Sequence, residues 1–296
     1  FYNDEMILNE AADLSPEKTY KKNVLLTAGY NMTKLKAVVT DSSENILVSY
    51  APSQKKEQAI PEAAKSIDEP TQIPTNEGLY FAGLHLEQYR HATYSPVEYY
   101  EEALHRDPTD TRSNNALGLW YLRRGQFSKA KSYFETAITI QTKYNNNPLD
   151  GEAFYNLGLA LFYQERYDEA YDSFYKASWN AAWQDKAFLF LGRIKARQGE
   201  YAIALQHIQQ SVLKNYQNSQ SRHLKMILLR KLNQVGLAEN FARESLEIDP
   251  FDYGSANEWW CSCHERDAHA ADKLLQVLAE KMRNDAHTYI EISIDY

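Results

Sequence analysis

The feature that most constrains this chain is a repeat with a step of 34 residues. Leu157-Gly158 recurs as Leu191-Gly192, and Ala170 recurs as Ala204. A fixed period of this length is typical of arrays in which each unit is a pair of antiparallel helices. Because each helix pair can bury its apolar face only against its neighbours, the pairs stack and expose a long surface for a partner. The period therefore predicts an all-α superhelix of helix-turn-helix units over most of the chain.

The spacing of residues within one unit explains how its two helices pack. When the glycine of each Leu-Gly pair is taken as position 8, small residues recur at positions 8, 20 and 27, and large apolar residues recur at positions 4, 7, 11 and 24. Helical residues three and four apart share a face, so these positions form one seam. Full units begin at Thr111, Gly151, Asp185 and near Ser219.

Less regular helical stretches flank these four units. A degenerate or capping unit is expected before them, and further helices follow Pro250, the last without a second helix to cover it. These helices are predicted at residues 79–89, 96–106, 253–263, 268–282 and 287–296. We therefore expect about four or five helix pairs in a repeat domain of residues 77–296, with the array truncated at its C-terminal end.

The first 50 residues have a different character. Strands are predicted at residues 23–27, 35–40 and 45–50, where apolar and β-branched residues are bounded by turn-forming ones. Three short strands bury little surface, so we expect residues 1–50 to be the remnant of a preceding, larger sandwich domain. Residues 51–76 contain four prolines and read as a linker, with a possible short helix at 57–66.

The composition and charge of the chain argue against several classes of function. The formal net charge of −8 argues against nonspecific nucleic-acid binding, which needs a basic surface. We find no apolar run long enough to span a membrane and no secretory leader, so a cytoplasmic location is expected. Cys261 and Cys263 lie only two residues apart and have no second ligand pair, so neither a disulfide framework nor a metal site is predicted. No cofactor is expected.

The helical units look like tetratricopeptide repeats, and residues 79–252 closely resemble one bacterial family. Its members join a β-sandwich domain, akin to sugar mutarotases, to a tetratricopeptide array. The resemblance rests on Glu-Gln-Tyr-Arg-His-Ala-Thr at 87–93, Asn-Asn-Asn-Pro at 145–148 and Lys-Ala-Ser-Trp-Asn-Ala-Ala-Trp at 176–183. The segment 20–50 looks like the last strands before that family's array. The resemblance implies a carbohydrate-related context, without assigning an activity.

The first helix of each unit supplies the candidate binding residues. In such arrays positions 2, 5, 9, 12 and 13 of that helix face the concave groove, and position 6 lies nearby. The candidates are Arg112, Asn115, Arg123, Glu152, Tyr155, Asn156, Arg193, Arg197, His223 and Arg230. Arginine presents a planar fork that suits carboxylates and phosphates. A solvated helix face that binds nothing explains the same arginines equally well.

Two hypotheses follow for function. The first is a non-catalytic binding or scaffolding module whose groove takes a protein or peptide, or the parent chain's own sandwich domain. The second is the helical part of a carbohydrate-processing enzyme, with a possible sugar site at Glu87, His91, Trp179 and Trp183, because aromatic rings stack on sugars. Such tryptophans more often fill the joint between repeats. No catalytic constellation is visible, so no catalytic residue is predicted and the first hypothesis is favoured.

The six residues inserted between the first two units, within 142–152, also admit two interpretations. Three consecutive asparagines followed by proline favour a turn. An inserted loop on a repeat protein often carries function, but a rigid corner between repeats is the simpler expectation.

Overall fold

The computed structural model describes residues 1–15, 20–26, 29–53 and 66–294. Contacts divide the chain into two compact units, Phe1–Ser66 and Ile67–Tyr296. The short helix predicted at 57–66 lies outside the described residues, except for Ser66. Among the described residues, no helix is both long enough and apolar enough to cross a membrane.

The first unit contains a two-stranded antiparallel sheet of β1 (Ala37–Thr40) and β2 (Ile46–Tyr50). Asp41 shapes the turn between them, because its carboxylate accepts hydrogen bonds from the backbone N–H groups of Ser43 and Asn45 at 2.8 and 2.9 Å. These strands confirm the second and third predicted strands.

The first predicted strand, at residues 23–27, is wrong. Residues 23–26 are not in a strand, and Thr27 lies outside the described residues. Val24 and Leu25 are exposed. A strand persists only when its backbone N–H and C=O groups find partners, and the described part of the chain offers none to residues 23–26. Apolar, β-branched composition alone was an insufficient signal here.

The second unit is α-helical. The odd-numbered helices up to α11 are the first, or A, helices of successive pairs, and the even-numbered helices are the second, or B, helices. Their bounds are α1 Asn76–Gln88, α2 Pro96–Arg106, α3 Thr111–Leu122, α4 Phe127–Gln141, α5 Glu152–Phe162, α6 Tyr167–Ala177, α7 Gln184–Arg197, α8 Tyr201–Lys214, α9 Ser219–Lys231, α10 Val235–Ile248, α11 Tyr253–Arg266, α12 Ala268–Lys281 and α13 Ala286–Ile294.

The described residues thus contain six helix pairs followed by α13. The expected number was four or five pairs. The additional pair is α11 and α12, whose helical spacing was predicted although the 34-residue signature fades there. Every helix predicted between residues 79 and 294 is confirmed to within a few residues at its ends.

Side-chain caps start several A helices. The side-chain oxygens of Thr75, Asp110, Asn218 and Asp252 each accept a hydrogen bond from the backbone N–H three residues later, at 2.8–3.1 Å. Such a cap satisfies one of the backbone donors left without a partner in the first turn of a helix. The chain therefore marks where these helices begin.

The small residues of the seam have the expected role. A Cβ atom added to Gly158 would lie 2.7 Å from the ring of Phe174, and one added to Gly192 would lie 2.5 Å from Ile208. Ala170, Ala177 and Ala204 are fully buried in the same seams. Close approach of the A and B helices therefore depends on these small side chains.

Part of the predicted linker packs on the first helix pair. Ile67 and Ile73 contact the buried cluster that includes Leu79 and Tyr99. The hydroxyl of Tyr99 donates a hydrogen bond of 3.0 Å to the carbonyl of Asp68. The residues that immediately precede α1 are therefore fixed to it by apolar contacts and by hydrogen bonding.

Candidate functional site

The A helices of the first three pairs surround a cavity of about 280 Å³. This surface, lined by positions 2, 5, 6, 9, 12 and 13 of successive A helices, is called the A-helix groove below. The cavity is lined by Tyr80, Leu84, Glu87 and Gln88 of α1, Tyr100 of α2, Asn115, Ala116, Leu119 and Arg123 of α3, and Glu152 of α5. Of the groove residues predicted from sequence, three line this cavity: Asn115, Arg123 and Glu152.

The contribution of α1 was missed from sequence, although a signal was present. Gly83 lies 35 residues before Gly118, and an added Cβ there would meet the ring of Tyr100, as one on Gly118 would meet Phe134. With Gly83 as position 8, the groove positions of α1 become Glu77, Tyr80, Phe81, Leu84, Glu87 and Gln88. Four of these six residues line the cavity, and Glu77 and Phe81 do not.

Glu152 is the carboxyl group of the cavity that pairs with no arginine among the described residues. It begins α5 and is half-buried, and burial raises the pKa of its carboxyl group. The nearby carboxylate of Asp150 acts in the same direction, while side-chain amide hydrogen bonds from Asn115 and Asn156 and the positive charge of Arg123 oppose it. The amide of Asn156 also donates a 3.0 Å hydrogen bond to the side-chain oxygen of Asn115. No described residue forms an ion pair with Glu152.

Most of the predicted groove arginines are neutralised within the fold. The partner in each case is a glutamate from another repeat unit, so the pairs join neighbouring units. The pairs are Arg112 with Glu77 at 3.2 Å, Arg123 with Glu87, Arg197 with Glu165 at 3.9 Å, and Arg230 with Glu258 at 3.0 Å. The groove is therefore less suited to an acidic ligand than its arginine content indicated.

Tyr155 and Arg193 lie at the joint between the second and third of the full units. Tyr155 is buried and stacks on Trp183 with ring centroids 5.0 Å apart. Burial raises the pKa of the Tyr155 hydroxyl. The guanidinium of Arg193 lies 5.2 Å from the centre of the Phe190 ring. The structure thus places both residues in an aromatic joint rather than on an open groove wall.

His223 lies where α9 meets the start of α11. It is buried, and its Nε2 atom lies 2.6 Å from a carboxylate oxygen of Asp252. Burial works to raise the pKa of Asp252, but hydrogen bonds from His223 and Ser255 outweigh it and lower the pKa. His223 therefore supports the cap of α11.

A second cavity, of about 650 Å³, lies beside His223 and is also lined by α13. Arg222, which sequence reasoning missed, lines it with only 3% of its surface exposed. Its guanidinium donates to the hydroxyl of Ser245 at 2.6 and 3.0 Å and to the carbonyl of Tyr216 at 3.2 Å. Arg222 occupies position 4, an apolar position in the second and third units, and that departure was the available signal.

The four candidate sugar-site residues do not share one site. Only Glu87 lines the groove cavity. His91 lies after α1, where its Nδ1 atom accepts hydrogen bonds of 3.2 Å from two backbone N–H groups. Trp179 is 58% exposed, with the ammonium of Lys176 at 3.8 Å from its ring centre. Trp183 is held at the repeat joint by its stacking on the buried Tyr155.

Comparisons with known proteins agree with this architecture. Residues 110–178 match a model of the tetratricopeptide repeat, and residues 1–50 match a model of the second domain of YphG-like proteins. The first match covers two of the full units described above. The second covers the segment that contains β1 and β2.

Solved structures of similar fold extend the comparison to most of the helical unit. PilF of Pseudomonas aeruginosa aligns with a TM-score of 0.60 at 17% identity, over 75% of this chain and 97% of PilF. YrrB, a TPR protein with an unusual peptide-binding site, aligns with a TM-score of 0.51 at 16% identity, over 67% of this chain and 98% of YrrB. MamA from Desulfovibrio magneticus RS-1 aligns with a TM-score of 0.52 at 18% identity, over 60% and 97%. The helical unit is therefore a tetratricopeptide-repeat array.

Proposed function

We propose that the A-helix groove binds a peptide segment of a partner protein, and that the array acts as a non-catalytic scaffold. Stacked helix pairs present extended binding surfaces of this kind. The observation that carries the proposal is the cavity on three successive A helices. It combines amide, carboxylate and aromatic side chains in one place.

The lining of the cavity suits a peptide. The amide of Asn115 accepts a hydrogen bond from Asn156 and donates one to Glu152, and it keeps a second acceptor site and a second N–H, which match the alternating N–H and C=O groups of a peptide backbone. Leu84, Leu119 and Tyr80 supply apolar surface for side chains. Binding sites in proteins commonly combine apolar walls with a few placed polar groups. The peptide-binding site of YrrB, on the same fold, is consistent with this proposal.

The ion pairs between units support a pre-shaped groove. Arg112 with Glu77 and Arg123 with Glu87 both link α1 to α3, and the second of these pairs lines the cavity. Exposed pairs contribute little stability individually. They do restrict side chains that would otherwise be ordered only on binding, and this lowers the entropic cost of binding a ligand.

The carbohydrate hypothesis is the weaker candidate. Its aromatic residues are already engaged, because Trp183 stacks on Tyr155 and the ring of Trp179 faces Lys176. The match of residues 1–50 to a YphG-like second domain leaves the parent chain's own preceding domain as one source of the bound segment, beside a separate protein.

The test is a pair of matched substitutions. The protein is screened against a library of N-acetylated, C-amidated octapeptides, and affinities of selected peptides are measured by fluorescence anisotropy. Asn115→Ala should weaken binding several-fold, while Asn240→Ala, on the exposed face of the B helix α10, should leave it unchanged. Equal effects of the two substitutions, or no selected peptide, would contradict the proposal.

A further inference from the structure

We propose that the groove cavity recognises a lysine side chain of the bound peptide, whose ammonium group pairs with the carboxylate of Glu152. This inference rests on the proposed function, because it names the residue type that the same groove selects. The occupant is a lysine side chain within a peptide, rather than a free amine or a chain terminus.

The charges around the cavity favour a cation. Three ionisable side chains with full charges line it, namely Glu87, Arg123 and Glu152. Glu87 and Arg123 pair with each other, and Glu87 also accepts a 3.2 Å hydrogen bond from the hydroxyl of Tyr100. The carboxylate of Glu152 is left as the net charge of the cavity. The positive charge of Arg123 also acts on Glu152 and lowers its pKa, but the three side chains together leave a ligand facing one net negative charge.

The hydrogen bonding of Glu152 leaves room for such a ligand. An ionised carboxylate has two oxygens with about four acceptor sites. Asn115 and Asn156 occupy some of these sites. No described residue supplies a positively charged donor to the remainder. A half-buried carboxylate without an ion-pair partner costs free energy, and part of that cost is recovered when an ammonium group arrives.

The shape and lining of the cavity favour lysine over arginine. Lysine carries a compact ammonium on a flexible apolar stem, whereas arginine presents a wide planar fork that matches a fully available carboxylate. The stem can lie along Leu84 and Leu119, and long basic side chains commonly cover apolar surface in this way.

The experiment scans lysine through the selected peptides. N-acetylated, C-amidated octapeptides are compared with versions in which each lysine is replaced by norleucine, which keeps the apolar stem, or by arginine. Affinities are measured for the wild-type protein, for Glu152→Gln and for Glu135→Gln. Glu135 is a matched control because it is an exposed glutamate on the B helix α4, outside the cavity and the groove.

We expect one lysine whose replacement by norleucine weakens binding by about tenfold, as for loss of a hydrogen bond to a charged group. That difference should vanish in Glu152→Gln and persist in Glu135→Gln. Selected peptides that bind the groove with no lysine dependence would overturn the lysine inference and leave the proposed function standing. Failure to select any peptide whose affinity falls on Asn115→Ala would overturn both.

Discussion

Gly158 sets the distance between α5 and α6 by the absence of a side chain. An added Cβ would lie 2.7 Å from the Phe174 ring, well inside ordinary contact distance. We predict that Gly158→Ala destabilises the protein by roughly 1–3 kcal/mol, although alanine is the better helix former, because the seam is overpacked. Chemical denaturation measures the difference.

Gly236 provides the matched control for that substitution. It also lies in a helix, α10, but an added Cβ there has no atom within 4 Å. Gly236→Ala should be neutral or stabilising by up to about 1 kcal/mol, because only helix propensity changes. Equal changes in stability at both positions would show that the seam does not depend on Gly158.

The carboxyl group of Glu152 should make stability depend on pH. Burial raises its folded-state pKa above the ordinary value of 4.5. The folded state therefore binds this proton more tightly than the unfolded state, and the associated stability is present below pH 4.5 and is lost as pH rises through the folded pKa. Glu152→Gln, which stays neutral, should gain stability relative to wild type over that range.

Denaturation of both proteins between pH 4 and pH 7 tests this sign. The quantity of interest is the difference in the free energy of unfolding, because other titrating groups cancel between the two proteins. A difference that stays constant with pH would mean that Glu152 is as well solvated in the folded state as in the unfolded state.

Among the connections between helices, the insertion before α5 is a fixed corner in the structure. Asp150 accepts hydrogen bonds of 3.0 Å from the backbone N–H of Glu152 and from the indole Nε1 of Trp183. Asn180 donates to the carbonyl of Leu149, and Lys176 donates to Asn147. These bonds tie the insertion to the end of α6 and the start of α7, which favours the corner over a mobile functional loop.

Substitutions at two tryptophans test whether Trp183 holds this corner in place. Trp183→Phe keeps an aromatic ring beside Tyr155 but loses the hydrogen bond to Asp150, so we predict a loss of about 1 kcal/mol. Trp179→Phe, at an exposed ring, should change stability by less than about 0.5 kcal/mol. Thermal and chemical denaturation of the two variants check this, and a similar loss in both would refute the anchoring role of Trp183.

The helices could be predicted because their signals are local and periodic. Leu157-Gly158 and Leu191-Gly192 mark equivalent A helices. A Pro follows the end of some B helices, and an Asp caps the start of some A helices. The ion pairs could not be predicted. Arg123 and Glu87, for example, lie in different units, and whether their side chains pair depends on side-chain conformations that the repeat pattern does not determine. The groove residues of α1 were missed because Gly83 stands outside any Leu-Gly pair. The contact of His223 with Asp252 joins α9 to the loop between α10 and α11, and periodicity does not report a contact of that kind.

For the chain as a whole, net charge should influence partner binding. The formal charge is −8, so the protein as a whole attracts basic ligands. We predict that affinity for lysine-containing octapeptides falls as salt rises from 0.05 to about 0.5 M, because the Debye length shortens over that range. Anisotropy titrations at several salt concentrations measure the effect. An affinity that is independent of salt would argue against a charged contact.

The central claim is that the groove of the A helices is the binding surface of the array. Hydrogen–deuterium exchange of the full chain, with and without a saturating selected peptide, tests it most directly. The account predicts increased protection in α1, α3 and α5, the helices that contribute Tyr80, Asn115 and Glu152 to the cavity. Protection confined to the B helices α2, α4 and α6 would contradict it.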